Sequence, residues 1–451
     1  MPTYDILNFG AVGDGRTNDA AAIQAAIDAC AAGGGGRVLA PAGRTYKSGT
    51  IALKSNVELH LERGATIAAS GDPADYTLRL GVGALSGGEL SPDDPGFSML
   101  ITADRAENVA ITGGGVIDGG GRLFVEADEG YIYKMKRWRP FTLFLLGVVN
   151  LTLRDVVIRD GALWTVRLSG CQDVLIDGIR IDNDLKLPNN DGIDIDRCRN
   201  VRIVGCHIVS GDDCICLKTC EETAAWGGPC ENVVVTGCTL VSTSSALIVG
   251  AECREPMRDI IFDSCVIKSS HRGLAIHLSE GSDVENVLFS NMIVETRIFH
   301  DKWWGRGEPI YITAIPWDER RAIGHVRNVR FSNILARSEN GAFVYGWEPG
   351  LVENIQLDNV RIEIDRWSKW PGGRQDIRPC PGEGLPEMPT NGFFFKNVTG
   401  VSLRDCEVVW GRNRPNYFHH ALETRVVEGL SVDNFKGQAA HPDRRPAMLN
   451  A

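Results

Sequence analysis

Five aspartates lie in one short stretch of strand-forming sequence from Asn189 to Thr219, NNDGIDIDRCRNVRIVGCHIVSGDDCICLKT: Asp191, Asp194, Asp196, Asp212 and Asp213. Carboxylates among strand-forming apolar residues are costly unless they are solvated, paired or used in chemistry. When carboxylates cluster, like charges raise one pKa, so one group stays protonated while others remain anionic. A protonated acid beside an anion that can activate water is the machinery of glycosidic hydrolysis. The sequence therefore raises hydrolysis as a hypothesis, provided that the fold gathers these side chains.

A sequence repeat predicts the strands that position the aspartates. An Asn or Asp precedes an aliphatic residue, any residue and a second aliphatic residue, then a polar stretch and another aliphatic pair, as in NVRIVGCHI from Asn200. Clear copies begin at Asn108, Asn150, Asp173, Asn200, Asn232, Asp259, Asn286, Asn328 and Asn354. A short period of this kind is the signature of a solenoid, whose coils bury their apolar faces on one another. Because helical periodicity is almost absent between the strands, the sequence predicts an all-β, single-stranded parallel β-helix.

The repeat also predicts the domain organisation. Residues 1–451 are expected to form a single β-helix domain, with an N-terminal cap over about residues 1–55. The cap contains the one good helix candidate, DAAAIQAAIDACAAGG from Asp19 to Gly34, which is rich in alanine and ends in glycines. Where a repeat is longer than one coil, its additional residues are predicted to form loop excursions, at about residues 297–320 and 366–395.

Residues at the same distance from the start of each repeat are predicted to lie on the same face of the coils. Stacked coils place equivalent positions about 4.8 Å apart. After allowance for the insertion LKLPNN, one column is predicted to contain, in order, Asp191, Asp212, Ser244 and His271. Adjacent strand residues point to opposite sides, so Asp213 would face inward. A bend or bulge at Gly211 is expected to turn both consecutive carboxylates to the same side.

Other interpretations of the aspartates stay open. Asp and Asn often cap turns in β-solenoids, and Asp194 and Asp196 are each expected to be turn or surface residues. Calcium prefers oxygen ligands of this kind, but the stretch lacks a fixed acidic loop spacing. We therefore expect no metal site.

Composition excludes some classes of protein. The formal net charge of -11 argues against a nucleic-acid partner, and no apolar run is long enough for a transmembrane helix. The first residues lack the pattern of a secretion signal, so we expect a cytoplasmic protein, or a secreted one if the sequence was trimmed. The thirteen cysteines are expected to be core residues, with stacked thiols in four copies of the repeat: Cys206, Cys238, Cys265 and Cys406.

Four segments resemble glycoside hydrolase family 28, the polygalacturonase-like family: FGAVGDGRTNDAAAIQAAI, GALWTVRLSGCQDVLIDG, NNDGIDID and SGDDCICLK. The last two keep the family's interval between Asp191 and Asp212. The resemblance implies a right-handed β-helix that hydrolyses glycosidic bonds with inversion at the anomeric carbon. It assigns the general acid to Asp212, and the positioning and deprotonation of the attacking water to Asp191 and Asp213. Lys218 resembles a lysine that contacts substrate in many members.

Two features of the family are absent. Members that act on polygalacturonate carry a histidine where this chain has Ser244 or Ser245, and an Arg-Ile-Lys where it has Ala275 and His277 around Ile276. An arginine grips a carboxylate with a charged two-pronged fork that alanine cannot replace. We therefore expect an altered sugar-binding subsite for a neutral or deoxy sugar, or for a uronate held differently. His271, Arg272 and His277 are the candidates for partial compensation, which is the less favoured alternative.

The excursion that contains Trp303 and Trp304 has the groups of a sugar subsite. The two indole rings offer flat apolar faces for pyranose rings, and Arg306 and Glu308 lie close to them in sequence. The second excursion offers further aromatic and basic residues, and loops of this length could close one end of a groove and favour release of terminal sugars. We expect an oligosaccharide or polysaccharide as the binding partner, and no cofactor.

Two other functions stay open from the sequence. One is a β-helix polysaccharide lyase, which needs a base and a calcium ion or arginine to neutralise a uronate carboxylate. The other is a non-catalytic carbohydrate-binding solenoid of the adhesin type.

Overall fold

The computed structural model describes residues 1–76, 79–80 and 97–450. The chain divides into two compact units, Met1–Asp212 with Cys220–Gly228 and Asp213–Thr219 with Pro229–Ala451. Within each unit, short strands from successive coils pair in parallel. The predicted fold class, a right-handed parallel β-helix with an N-terminal capping helix, is confirmed. That one domain spans residues 1–451 stays a prediction.

The first unit stacks its strands into three parallel faces. Face 1A contains Thr3–Asp5, Gly36–Ala40, Val57–Leu61, Glu107–Gly113, Val149–Arg154, Gln172–Asp177 and Arg199–Val204. Face 1B contains Asp14–Asn18, Thr45–Ser48, Thr66–Ala69, Val116–Asp118, Val157–Arg159, Arg180–Asp182 and His207–Ser210. Face 1C contains Ile51–Ala52, Phe97–Asp104, Phe141–Leu146, Val166–Ser169 and Ile193–Asp196. Antiparallel pairs join Arg79–Leu80 to Phe97–Asp104 and Val125–Asp128 to Tyr133–Met135.

The second unit repeats this arrangement with longer strands. Face 2A contains Cys230–Thr236, Met257–Asp263 and the first halves of Val284–Thr296, Val326–Ser338 and Val352–Ile364. Their second halves continue into face 2B, with Thr239–Ser242, Val266–Ser270 and Glu407–Trp410. Face 2C contains Ile215–Thr219, Ser245–Cys253, Arg272–Leu278, Ile310–Ala314 and Ala342–Gly346. Phe393–Arg404 and Leu422–Asp433 run from face 2C into face 2A, and Met448–Asn450 pairs with the last of these strands.

The Asn or Asp that opens each repeat has a structural reason. These residues adopt a left-handed backbone with φ near +56°, as at Asn108 and Asn328, a conformation that Asn and Asp tolerate better than most residues. Their side chains form a ladder between coils. The Asn108 amide donates to Asn56 at 2.8 Å, and the Asn328 amide donates to Asn286 at 3.1 Å. In the repeats, this residue therefore marks a left-handed break near the start of a strand of face 1A or 2A, as Asn108 does in Glu107–Gly113.

The predicted capping helix is present as Ala20–Ala32, with Ile23, Ala26, Ile27 and Cys30 buried. The Asp19 carboxylate accepts from the backbone N–H groups of Val12 and Gly13 at 2.7 and 3.0 Å, so it fixes the preceding turn rather than capping the helix. The other helices within the described residues are short 3-10 turns: Ile6–Phe9, Pro73–Asp75, Gly121–Phe124 and Glu221–Trp226. No helix in the described part of the chain has the length and apolar character of a membrane span.

The interior is built from stacked apolar side chains. In the second unit, the rings of Phe262, Phe289 and Phe331 stack with centroids 4.9 Å apart. Twelve of the thirteen cysteines are buried. The thiols predicted to lie in the interior are among the buried ones, so the prediction of core cysteines is confirmed: Cys206, Cys238, Cys265 and Cys406.

Candidate active site

The strand that leads to the paired aspartates ends before them, at Ser210. The next strand begins at Ile215, so Asp212 and Asp213 lie in a bend rather than in a regular strand. Gly211 is packed tightly, because a Cβ atom there would lie 2.5 Å from the Leu187 carbonyl oxygen. Its N–H donates to Asn190 Oδ1 at 2.8 Å. The predicted break at Gly211 is therefore present, and the strand alternation that would turn Asp213 inward does not apply.

In the first unit, the bend places Asp212 beside Asp191. Carboxylate oxygens of the two residues lie within 4.8 Å of each other. Both side chains are largely buried, with 7% of Asp212 and 4% of Asp191 exposed. The Asn189 N–H donates to Asp212 Oδ2 at 3.1 Å, and the Asp191 carbonyl accepts from the Thr165 N–H at 2.8 Å. The prediction that these two aspartates share one side of the coil is confirmed for this unit.

A cation faces this carboxylate pair. Burial lowers the pKa of Arg139 to about 10, while the charges of Asp191 and Asp212 favour its protonated form. Two carboxylates at this separation oppose each other's ionisation, and a neighbouring guanidinium favours it. Asp191 and Asp212 also offer oxygen atoms to a metal ion. Arg139 weakens that alternative, because a fixed positive charge already occupies the surroundings of these oxygens.

The second unit begins with Asp213, the chain neighbour of Asp212. Its Oδ1 accepts from the Ser245 N–H at 2.8 Å, and 9% of the residue is exposed. Ser245 pairs with Arg272 across adjacent strands, and the Arg272 N–H donates to the Ser244 carbonyl. Ser244 and His271 therefore occupy equivalent positions on neighbouring coils, as the spacing of the repeat predicted.

Lys218 is paired with a residue that the sequence interpretation did not single out. Its Nζ lies 2.9 Å from Glu252 Oε2, and the two side chains are 8% and 15% exposed. His277 lies close enough to feel both charges. Burial, and then the charge of Arg272, lowers the pKa of His277 to about 3. At neutral pH this histidine is uncharged and cannot replace the lysine of the family motif.

Arg272 is held inside the protein. The guanidinium lies 3.9 Å from the centre of the Tyr311 ring and 3.3 Å from Asp376 Oδ2. Its NH2 group also donates to the Asp376 carbonyl at 3.0 Å, and Glu308 lies 3.7 Å from its Nε. Only 2% of the Arg272 side chain is exposed. His271 beside it is fully buried, which together with the charges of Arg306 and Arg272 lowers its pKa.

The predicted subsite residues of the first excursion differ in exposure. Trp304 is 36% exposed, with the Arg378 guanidinium 4.7 Å from its ring centre, and Trp303 is half-buried. Arg306 is buried, and its guanidinium donates to backbone carbonyls of its own loop. Glu308 is fully buried and accepts from the Arg306 N–H at 2.7 Å. Trp304 is therefore partly exposed, whereas Arg306 and Glu308 hold the loop in shape.

Asp376 connects both excursions to the strands of face 2C. Besides its contacts with Arg272, its Oδ2 accepts from the Gly305 N–H at 2.7 Å, and its carbonyl accepts from the Tyr311 hydroxyl at 2.8 Å. Arg378 binds the same carboxylate and donates to the Trp303 carbonyl at 3.0 Å. Although burial opposes its charge, Arg272 and Arg378 hold the pKa of Asp376 below its usual range.

The second excursion covers part of face 2C. Ile377 is buried on a stack of aromatic side chains that includes Phe343, Tyr345 and Phe394, and Met388 packs on the same cluster. The rings of Phe343 and Phe394 lie 5.3 Å apart and nearly parallel. At this end of the second unit, the excursion therefore occupies the outer surface of the strands.

The expectation that Asp194 and Asp196 lie at turns or on the surface is wrong. Both are fully buried in the strand Ile193–Asp196. Asp196 is tolerated there because it is well paired: Oδ2 accepts from Arg167 at 3.1 Å, and Oδ1 accepts from the Cys220 N–H at 2.9 Å. Asp194 lies opposite Arg167 in the parallel register. These carboxylates belong to the scaffold of the first unit.

Arg139, Glu252 and Asp376 were missed because the repeat does not reach them. Arg139 belongs to the segment KRWRP, before the strand Phe141–Leu146. Asp376 lies between two arginines in GGRQDIRP, a charge pattern that could have indicated an ion-pair network. Glu252 is the last residue but one of the strand Ser245–Cys253, two residues after STSSALIVG, the segment in which the family histidine is absent.

The chain is similar to known proteins in sequence and in fold. Residues 30–302 match glycosyl hydrolases family 28. A probable polygalacturonase from Vitis vinifera is 30% identical over 418 residues, which cover 88% of this chain and 83% of that protein. The crystal structure of a hyperthermoactive exopolygalacturonase from Thermotoga maritima has a TM-score of 0.62 at 22% identity and covers 91% of this chain and 92% of that chain. A family 28 exopolygalacturonase from Yersinia enterocolitica has a TM-score of 0.61 at 19% identity, over 96% of this chain and 78% of that chain. At these identities, the two structures support the fold alone.

Proposed function

Because this chain belongs to glycosyl hydrolases family 28, we propose that it hydrolyses an α-glycosidic linkage with inversion in a pectin-like or related oligosaccharide or polysaccharide. The chain is a polygalacturonase-like glycoside hydrolase. The observation that carries the proposed hydrolysis is the pair Asp191 and Asp212, whose carboxylate oxygens lie within 4.8 Å of each other at the positions of the family motif.

The proposed mechanism divides two tasks among three aspartates. Asp212 donates a proton to the leaving oxygen as the C–O bond breaks. Asp191 and Asp213 orient a water molecule and take its proton while the water attacks the opposite face of the anomeric carbon. Most inverting enzymes separate acid and base carboxyl groups by about 6.5–9.5 Å to admit the water. The distance between Asp191 and Asp212 is shorter, so inversion rests here on the family rather than on this spacing.

The charges around Lys218 support an altered sugar-binding subsite. Ala275 and His277 stand where the family motif has Arg and Lys, and His277 is neutral at pH 7. The charge of Lys218 is offset by Glu252 at 2.9 Å. An incoming uronate would meet the Glu252 carboxylate, whereas a neutral sugar would meet a donor and an acceptor side by side. We infer that the sugar bound here carries no carboxylate.

Replacing Glu252 with Gln tests this subsite. The variant keeps the shape of the side chain and removes the negative charge that would repel a uronate carboxylate beside Lys218. We expect the ratio of kcat/KM for galacturonate-containing over neutral oligosaccharides to rise about tenfold, which is 1.4 kcal/mol. Glu255→Gln, at an exposed glutamate nearby, is the matched control and should leave the ratio unchanged. An unchanged ratio in a folded Glu252→Gln protein would remove Glu252 from the subsite.

The second excursion supports action at chain ends. It covers the outer side of face 2C through Ile377 and Met388. A long polysaccharide cannot continue along a surface that protein already occupies, so we infer release of terminal sugars. Chromatography of early products from a panel of oligosaccharides tests both the activity and this inference. Monosaccharide should appear first. Products with an absorbing double bond would indicate a lyase, and binding without turnover would indicate a carbohydrate-binding solenoid.

A further inference from the structure

We propose that Arg139 is a positioning residue for the carboxylate pair: it holds Asp212 in place through Asn189 and supplies the positive charge that faces Asp191 and Asp212. This inference rests on the proposed function, because it assigns Arg139 a part in the same reaction. Arg139 lies outside the repeat and outside the motifs that carry the family resemblance.

The guanidinium of Arg139 is fixed by acceptors from separate segments. NH1 donates to the Ala162 carbonyl at 2.9 Å and to the Pro188 carbonyl at 2.6 Å. NH2 donates to Asn189 Oδ1 at 2.7 Å. A planar group held at two nitrogens has little freedom to rotate. Arg139 therefore determines where residues 188 and 189 lie.

Asn189 connects Arg139 to Asp212 through two hydrogen bonds. Its side chain accepts from Arg139, and its backbone N–H donates to Asp212 Oδ2 at 3.1 Å. The next residue adds two further connections, because Asn190 Oδ1 accepts from the Gly211 N–H and the Asn190 carbonyl accepts from Ser210 Oγ, each at 2.8 Å. The segment 188–190 thus links Arg139 to the bend that carries Asp212.

Charge is the second contribution of Arg139. The acidic groups that act on it are Asp191 and Asp212. Asp213 follows Asp212 in the chain, and Asp184 in the same loop pairs instead with Arg122 at 2.5 Å. Removal of the guanidinium charge disfavours the ionised forms of the carboxylate pair, so each carboxylate releases its proton at higher pH. The base must be ionised and the acid protonated, and both limbs of the pH–rate profile therefore move to higher pH.

Two variants separate positioning from charge. Arg139→Gln removes the charge and one half of the fork, whereas Arg139→Lys keeps a charge but loses the paired hydrogen bonds. We expect kcat to fall about a hundredfold in both variants, since small displacements of a catalytic group cost that much. Only Arg139→Gln should move the acidic limb of the pH–rate profile to higher pH, by about one pH unit. Arg137→Gln, at an exposed arginine two residues away, is the control.

A second measurement does not depend on turnover. Aspartates labelled with 13C at the carboxyl carbon, with the signals of Asp191 and Asp212 assigned from their Asn variants, report ionisation directly by NMR. We expect Arg139→Gln to raise the titration midpoints of these two signals relative to the unsubstituted protein. Unchanged midpoints and an unchanged pH profile, with only a lower melting temperature, would overturn the inference and leave Arg139 a structural role. If the unsubstituted protein cleaves no glycan, the proposed function fails, while the titration still decides the role of Arg139.

Discussion

Asp212→Asn should lower kcat about a thousandfold or more while leaving the fold intact. The amide has nearly the same shape as the carboxylate and can still accept from the Asn189 N–H, which lies 3.1 Å away. It has no acidic proton to give to the leaving oxygen. The loss should therefore appear in kcat, with KM and the melting temperature close to those of the unsubstituted protein.

The control for this change is Asp182→Asn. Asp182 lies in the strand Arg180–Asp182 of the first unit, where its exposed carboxylate pairs with Arg180. Exposed pairs of this kind contribute little stability, so activity and melting temperature should both be retained. Near-native turnover in Asp212→Asn would show that the acid has been assigned to the wrong residue.

Asp376→Asn should destabilise the second unit by about 3 kcal/mol, because it leaves the buried guanidinium of Arg272 with a weaker partner. The Gly305 N–H and Arg378 also lose a charged acceptor. Both excursions depend on this carboxylate for their attachment to face 2C. Urea unfolding at pH 7 measures the change.

The effect of Asp376→Asn should depend on pH in a defined direction. The pKa of Asp376 is lower in the folded protein than its usual value near 3.9. The carboxylate therefore contributes its full stabilisation above about pH 4, and this contribution is lost as the pH falls toward its folded pKa. The difference between variant and unsubstituted protein should be largest at neutral pH and should shrink in acid.

Glu387→Gln provides the comparison for this variant. Glu387 lies in the same excursion, is 83% exposed and faces Arg374 at 3.6 Å. Its substitution should change the unfolding free energy by less than about 1 kcal/mol both at neutral pH and in acid. Equal stability of Asp376→Asn and Glu387→Gln would show that the Arg272 network does not hold the excursions.

The fold was predictable because its signal is local. Asn and Asp recur where the backbone turns into a left-handed conformation, and the aliphatic positions after them follow strand alternation. This pattern located the strands of faces 1A and 2A, and the same register placed Ser244 beside His271. The short distance between Asp191 and Asp212 was predictable for the same reason, because the repeat assigns both residues to the same column.

The contacts of the excursions were not predictable in this way. Arg306 and Glu308 resemble subsite residues in sequence, yet the loop folds back and buries both against its own backbone. Asp376 and Arg272 are 104 residues apart in the chain, so no spacing rule connects them. The burial of Asp194 and Asp196 was missed because a buried carboxylate looks like a surface residue until its partner, here Arg167, is known.

We propose that neighbouring coils bring acidic groups together to hydrolyse an α-linked sugar by a single displacement. Proton NMR of the first product released, recorded before mutarotation equilibrates it, tests this claim most directly. The β-anomer is the expected product of an α-linked substrate, with no unsaturated sugar. Release of the α-anomer, or of an unsaturated product, would contradict it.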